Sequence, residues 1–218
     1  MQNRNIFNLG CLLLLISLSG CTDTSKEEIP SSDSDSEIHE NIIGGDVYER
    51  PYSPSFGVTS AKVTIVEFFD PGCESCRAFY PLVKDILSRH PEDVRVVLRY
   101  ATFHEGSETV VRMLEAARIQ NIFIPVLESL LKDQQLWASH HKPDINKAWD
   151  IAEAAGLNLV SAKEVMYSKE IDQLIAQDKD DIRSLKVKKT PTFFVNKKPL
   201  PYFGQKPLYD LVISELKK

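Results

Sequence analysis

Cysteine and methionine are scarce in this chain of 218 residues, which holds four of the former and three of the latter. Neither a second Cys-x-x-Cys nor an ordered Cys/His spacing accompanies the pair Cys73 and Cys76. A zinc site would therefore lack half of its usual tetrahedral ligand set, and a soft copper site would lack thioether partners. The composition argues against metal binding as the main role, and so few cysteines cannot form a disulfide-stapled scaffold.

An excess of basic charge is absent as well. Residues 1–40 hold two basic and seven acidic side chains, which leaves 24 of each sign in residues 41–218. Nucleic-acid-binding domains typically carry a basic patch or stripe, and none stands out here. The sequence therefore argues against nucleic acid as a partner, and its last ~175 residues are enough for one domain with a real core.

The apolar run at the start of the chain is too short to span a bilayer. Residues 11–18 are apolar except for Ser17, and this run is well short of the roughly 20 residues that a spanning helix needs. Arg4 precedes the run, and Leu18-Ser19-Gly20-Cys21 ends it in the manner of a bacterial lipobox. We therefore expect residues 1–20 to be a lipoprotein signal peptide and Cys21 to carry the lipid; an ordinary secretory signal is the alternative.

Residues 21–50 are expected to hold the lipid anchor and an acidic flexible linker. Serine and acidic residues dominate 22–40, where too little apolar surface is available to drive folding. Thr22 stands where an aspartate would favour the inner membrane, so sorting to the outer membrane is favoured. The domain is thus predicted on the periplasmic side of a bacterial membrane, held to the lipid bilayer through Cys21. Packing on the domain and self-association both remain open for segment 42–57.

The next part of the chain alternates strand and helix patterns. Two runs rich in β-branched and aromatic residues, 62–69 and 93–103, predict strands, and the turn residues Asp-Pro-Gly stop the first of them. Between the runs, residues 73–90 carry apolar side chains at helical spacing, with a kink expected at Pro81. Strand, helix and strand of these lengths predict a parallel pair, so residues 51–106 form the first part of an α/β domain.

The remaining sequence is mostly helical. Residues 107–187 contain five helical runs, and Ser107, Ser168 and a capping box at Ser161 are expected to open three of them. Residues 188–218 complete the α/β domain with two short strands, joined by a turn, and a closing amphipathic helix.

The pair Cys73 and Cys76 is the strongest chemical signal. A structural disulfide closing so short a loop would stabilise little, because the effect grows with loop length. A Cys-x-x-Cys beside a strand–helix–strand pattern is typical of a redox motif. Cys73 lies at the first turn of the predicted helix, where unpaired N–H groups and the helix dipole favour a thiolate. Cys73 is therefore the predicted nucleophile, and Cys76, one turn further and more buried, is the predicted resolving thiol.

The stretch VEFFDPGCESCRAFYP, residues 66–81, resembles the active-site segment of the thioredoxin superfamily, most closely that of its DsbA-like exported branch. The resemblance implies that Glu67 is a buried acid beneath the disulfide. It also implies that Thr190 and Pro191 are a threonine–cis-proline pair facing the redox centre. DsbA-like proteins insert a helical domain before that pair, which corresponds to residues 107–187. The implied fold class is α/β, a thioredoxin fold with an inserted helical domain.

The matched residues have roles under this resemblance. Strand alternation puts Glu67 on the predicted buried face, and a buried carboxyl titrates high enough to accept the proton of Cys76. The backbone of Thr190, before a cis Pro191, would pair with an extended substrate. His104, after the second strand, is expected to be a loop or capping residue, because a lone histidine is weak evidence for a site.

The sequence departs from the family between the two cysteines. Glu74 and Ser75 stand where strongly oxidising members have Pro-His. A histidine cation would stabilise the thiolate of Cys73, whereas Glu74 places an anion beside it and should raise its pKa. A less stabilised thiolate means a more stable disulfide. We therefore expect these residues to tune the site towards a mid-potential or reducing couple.

The predicted function is thiol–disulfide exchange, with no organic cofactor or metal required. The expected partners are exported proteins that carry thiols or disulfides, and a membrane redox partner. Two alternatives remain open. One is a non-catalytic surface lipoprotein or Cu/Zn-binding carrier that uses the same cysteine pair. The other is a maturation factor that reduces cysteines for haem or copper insertion.

Overall fold

The computed structural model describes residues 44–139 and 141–218. The predicted signal peptide and the lipidation site at Cys21 lie outside the described residues. Within the described part, the strands are β1 Ser55–Phe56, β2 Val63–Phe69, β3 Val94–Tyr100, β4 Thr192–Val195 and β5 Lys198–Pro199. The helices are α1 Glu74–Arg89, α2 Ser107–Ile119, α3 Phe123–Lys132, α4 Gln134–Trp137, α5 Ile145–Ala154, α6 Leu159–Val165, α7 Lys169–Ser184 and α8 Gln205–Leu216.

The strands form one sheet in the order β1-β3-β2-β4-β5. The central pair β2 and β3 is parallel, as predicted, and α1 makes the crossover between the two strands. β4 pairs antiparallel with the other edge of β2, and helices α2 to α7 are inserted between β3 and β4. β2 is buried along its whole length, because a central strand covered on both faces can be apolar throughout. Its C-terminal end delivers the chain to the cysteine pair.

Successive side chains of β2 point to opposite faces of the sheet and join two apolar clusters. The smaller cluster contains Val66 and Phe68. The larger cluster contains Val63, Ile65 and both cysteines, together with buried residues of α1 and of the inserted helices. The cysteine pair therefore lies on the sheet face that α1 and the insertion cover.

The segment before β1 packs on the domain, which settles its position for the described residues. Arg99 is fully buried and forms ion pairs with Asp178, at 2.6 Å, and with Asp181. Arg50 donates to Asp181 at 2.7 Å, and the Tyr52 hydroxyl donates to Asp178 at 2.6 Å. A buried network of charges and hydrogen bonds thus ties the segment to β3 and α7.

Removal of the central cation of this network is expected to destabilise the fold strongly. Arg99→Leu would leave two buried carboxylates without that partner, a loss of about 3–5 kcal/mol in the free energy of unfolding. Urea unfolding measures the change. Arg183→Leu is the matched control, since its ion pair with Asp180 is exposed and such pairs contribute about 0–1 kcal/mol. Equal losses in the two variants would contradict a stabilising role of the buried network.

A predicted helix start and a predicted strand differ from the structure. The capping box at Ser161 lies inside α6, because the side chain of Asn158 caps this helix instead. It accepts hydrogen bonds from the N–H groups of Val160 and Ser161, both at 3.1 Å. The last predicted strand, over 198–204, is reduced to β5, because its two prolines cannot donate ladder hydrogen bonds. The cap at Ser168 is confirmed, with its side chain accepting from the N–H group of Ile171.

In the part of the chain that the structure describes, no helix combines the length and the apolar character needed to cross a membrane.

Candidate active site

Cys73 lies at the point where the turn after β2 enters α1. It is the N-cap residue of α1, with an extended backbone (φ −82°, ψ 119°) and no side-chain capping bond. Its sulfur therefore does not cap the helix, and it lies 3.3 Å from the carbonyl oxygen of Thr190. Cys76, in the first turn of α1, is fully buried, whereas Cys73 keeps 6% of its surface exposed. The prediction that Cys76 is the more buried thiol is confirmed, and both cysteines are free thiols.

The pKa of Cys73 is lowered from its ordinary value of 9.0 to about 5. The largest cause is a hydrogen bond with the side chain of Cys76. Burial opposes it, whereas Thr190 and the backbone N–H groups of Cys76 and Ser75 lower the pKa further. The net shift is downward because the hydrogen bonds at the start of the helix outweigh burial. The contribution expected from Glu74, whose side chain is exposed, stays a prediction.

The pKa values of Cys76 and Glu67 are both raised. Burial raises the pKa of Cys76 well above its usual range, and the neighbouring charges of Cys73 and Glu67 add to the rise. The sulfur of Cys76 accepts a hydrogen bond from the N–H group of Asp70 at 3.4 Å. Burial also raises the pKa of Glu67 from 4.5 to about 8, and the charge of Cys73 adds to it. The site thus joins one stabilised thiolate to one buried, protonated thiol and a carboxyl that titrates near neutral pH.

Glu67 lies where strand alternation predicts it, on the face of β2 that carries Val63 and Ile65, with 2% of its surface exposed. It borders a cavity of about 190 Å³ that is also lined by Tyr80, Lys84 and Glu128. The hydroxyl of Tyr80 donates to Glu128 at 3.0 Å in this cavity. Glu67 therefore borders a space that also reaches polar groups of Tyr80, Lys84 and Glu128.

The Thr190–Pro191 peptide bond is cis, which confirms the prediction for its geometry. The pair directly precedes β4, whose antiparallel pairing with β2 brings it to the redox centre. The sulfur of Cys73 faces the carbonyl of Thr190. The structure therefore brings Cys73, Cys76, Glu67 and Thr190–Pro191 together.

Asp70 is a buried site residue that sequence reasoning treated only as the end of a strand. One carboxylate oxygen accepts from the N–H group of Gly72 at 2.9 Å and from the hydroxyl of Ser107. The other accepts from the N–H groups of Phe103 and His104, at 2.8 and 3.0 Å, and lies 2.8 Å from His104 Nδ1. The N-cap of α2 is Gly106 and not Ser107, which corrects the prediction. His104, although in a loop as predicted, is bound to the turn before the nucleophile.

Gln134 of α4 approaches the same turn from the inserted helices. It is 1% exposed, and its Nε2 donates to the carbonyl of Pro71 at 2.7 Å and to that of Cys73 at 3.1 Å. Its partner Cys73 is 61 residues away in the sequence, so no local pattern could predict this contact.

Among residues 44–139 and 141–218, no group of three or more His, Cys, Asp or Glu side chains is placed to hold a metal ion.

A central parallel strand pair, a Cys-x-x-Cys at the start of the crossover helix and a facing cis-proline loop define a thioredoxin-fold protein with a dithiol centre. A family model described as Thioredoxin matches residues 49–202, and the chain belongs to that family. The predicted fold class, with helices inserted before the cis proline as in DsbA-like proteins, is confirmed.

Three solved structures illustrate the likeness. A thioredoxin-like oxidoreductase from Silicibacter pomeroyi DSS-3 is 28% identical with a TM-score of 0.68, over 79% of this chain and 96% of that one. A periplasmic thioredoxin-like protein from Salmonella enterica serovar Typhimurium is 22% identical with a TM-score of 0.64, over 84% and 97%. The thiol-disulfide exchange protein alpha-DsbA2 from Wolbachia pipientis is 18% identical with a TM-score of 0.62, over 84% and 98%. A search of the curated proteins found no match.

Proposed function

We propose that this protein exchanges thiols and disulfides with exported proteins, with Cys73 as the nucleophile and Cys76 as the resolving thiol. The opposite shifts of the two thiol pKa values carry this proposal. The pKa of Cys73 is lowered to about 5, whereas the pKa of Cys76 is raised well above its usual range. A stabilised thiolate attacks a partner's disulfide, and the protonated thiol resolves the mixed disulfide afterwards. The likeness to thiol–disulfide oxidoreductases supports such exchange in general.

The reaction proceeds through a mixed disulfide. The sulfur of Cys73 attacks the partner's disulfide, so that a Cys73–partner bond forms and the partner's other sulfur leaves as a thiolate. Cys76 then gives its proton to the ionised form of Glu67 and attacks the sulfur of Cys73, which releases the second partner thiolate. The dithiol loses two electrons and the partner's disulfide gains them. The reverse sequence oxidises a partner's dithiol.

Thr190 and Pro191 are proposed to dock the partner. The carbonyl of Thr190 lies 3.3 Å from the sulfur of Cys73. An extended segment that pairs with the backbone of Thr190 would therefore bring its own sulfur next to the nucleophile. Main-chain pairing of this kind accepts many sequences, which suits an enzyme with varied clients.

A mid-potential couple fits the site better than a strong reductant or a strong oxidant. A thiolate with a pKa of about 5 lies between the values of thioredoxin and DsbA, which are roughly 7 and 3.5. Such a couple can be reduced by a dithiol, or oxidised by a disulfide, of a membrane redox partner. Anchoring through Cys21 on the periplasmic side, with the outer membrane favoured, is part of the same proposal.

Equilibration of Cys73–Cys76 with glutathione buffers tests the proposed couple. We expect a potential of roughly −200 mV, between the values of thioredoxin and DsbA. A value near −120 mV would instead indicate a strong oxidase, and one near −270 mV a reductant. If no cycling disulfide formed at all, the exchange function would be rejected, and titration with Cu(I) and Zn²⁺ would test the metal-carrier alternative.

A further inference from the structure

The backbone of the nucleophile is held by hydrogen bonds on both sides. The N–H group of Cys73 donates to the carbonyl of Asp70 at 3.0 Å, and its carbonyl accepts the first helical bond from Arg77 at 3.2 Å. The Cys73 carbonyl also accepts from Nε2 of Gln134, which bonds the carbonyl of Pro71 as well. Gln134 is therefore a link between the turn before α1 and the inserted helices.

The orientation of the Gln134 amide follows from its partners. Both are carbonyl oxygens, so only the NH₂ end of the amide can face them. Its Oε1 then points away, and this buried atom has no hydrogen-bond partner within the described part of the chain. An unpaired buried carbonyl lowers stability, and an apolar side chain of similar size would avoid that loss. Packing alone does not account for glutamine here, whereas its two bonds to the turn do.

We propose that Gln134 is a positioning residue for the exchange reaction, which fixes the backbone of Cys73 at the start of α1. The N–H groups of Ser75 and Cys76 at the start of α1 lower the pKa of Cys73, and their direction depends on that backbone. Without the amide, the buried carbonyl of Pro71 loses its bond to Gln134 and the turn can rotate. The thiolate would then be less stabilised and the disulfide correspondingly more stable. This proposal rests on the proposed function, because it concerns the same site.

A second anchor should keep the turn folded when Gln134 is changed. The carboxylate of Asp70 binds Gly72 within the turn and Ser107 at the start of α2. These bonds do not involve Gln134. Substitution of Gln134 should therefore alter the aim of the N–H groups while the domain stays folded.

The test compares Gln134→Met with Gln120→Met in the full-length chain. Gln120 is a matched control in the same insertion, since its Nε2 also donates two hydrogen bonds, both at 3.1 Å, to Asn158 and Ser161. The pH titration of the thiolate absorbance, with the Cys73→Ala chain as baseline, reports the pKa of Cys73. We expect Gln134→Met to raise that pKa by about one unit, the worth of one hydrogen bond, and to make the couple more reducing. Gln120→Met should change neither quantity.

Gln134→Glu tests the donor directly and carries the test if Gln134→Met does not fold. Its carboxylic acid can donate one hydrogen bond when protonated and none when ionised, so an intermediate rise in the pKa of Cys73 is expected. Unchanged titration and potential in the folded Gln134 variants would show that this side chain only packs, and would overturn the proposal. The titration needs no turnover. A shifted pKa in a protein without exchange activity would reject the proposed function and leave the positioning role standing.

Discussion

Cys73→Ala is expected to abolish thiol–disulfide exchange, and Cys76→Ala is expected to stop the reaction at the mixed disulfide. Without the thiolate of Cys73 no partner disulfide can be attacked, because the other thiol of the pair is fully buried and keeps its proton. Without Cys76 the first step still runs, but nothing resolves the mixed disulfide. Turnover of a disulfide-containing peptide should therefore fall to the uncatalysed rate in the first variant. In the second, mass spectrometry should detect a covalent adduct on Cys73.

These two variants also separate an enzyme from a carrier. A metal carrier that uses both sulfurs would lose its ligand in both variants alike and would form no adduct with the peptide. Circular dichroism of the variants is the control for folding, since the cysteines are free thiols and no disulfide joins them in this state. Residual turnover in Cys73→Ala would mean that another group is the nucleophile.

Glu67→Gln is expected to slow the resolving step and to stabilise the fold at the same time. Loss of the proton acceptor for Cys76 should reduce the rate of resolution by about 100-fold, the lower end of general-base contributions. The pKa of Glu67 is raised from 4.5 to about 8 by burial, so the folded protein binds this proton more tightly than the unfolded chain. Between about pH 4.5 and about pH 8 the carboxyl ionises in the unfolded chain but keeps its proton in the folded protein, so the free energy of unfolding falls as the pH rises. Glutamine removes that loss, on the order of 3 kcal/mol at pH 7.

Stopped-flow resolution of a preformed mixed disulfide measures the rate, and urea unfolding between pH 4 and pH 9 measures the stability. The gain of Glu67→Gln over the unmodified protein should be absent below about pH 4.5 and grow until about pH 8. Glu92→Gln is the matched control, because Glu92 is exposed and should change neither quantity. A stability gain without slower resolution would show that Glu67 is buried for another reason and does not take the proton.

Local pattern determined the parts of this protein that short-range geometry controls. The apolar run of β2 and the helical spacing of α1 predict a strand and a helix, because each element uses neighbouring residues. A spacing of three between Cys73 and Cys76 puts both sulfurs at one end of that helix. Alternation along β2 is enough to place Glu67 on the same face as Val63 and Ile65. The sequence also places a proline directly before β4, where the structure has the cis bond of Pro191.

Only the tertiary structure decided how these parts act on one another. A sequence shows that the anion of Glu74 is adjacent to Cys73, but not that hydrogen bonds at the sulfur make the net pKa shift of Cys73 downward. The anchors at Asp70 and Gln134 escaped sequence reasoning because their partners come from other elements of the fold. The thiol pKa values depend on burial and on hydrogen bonds across that packing, and both exist only once β2, α1 and the inserted helices have come together.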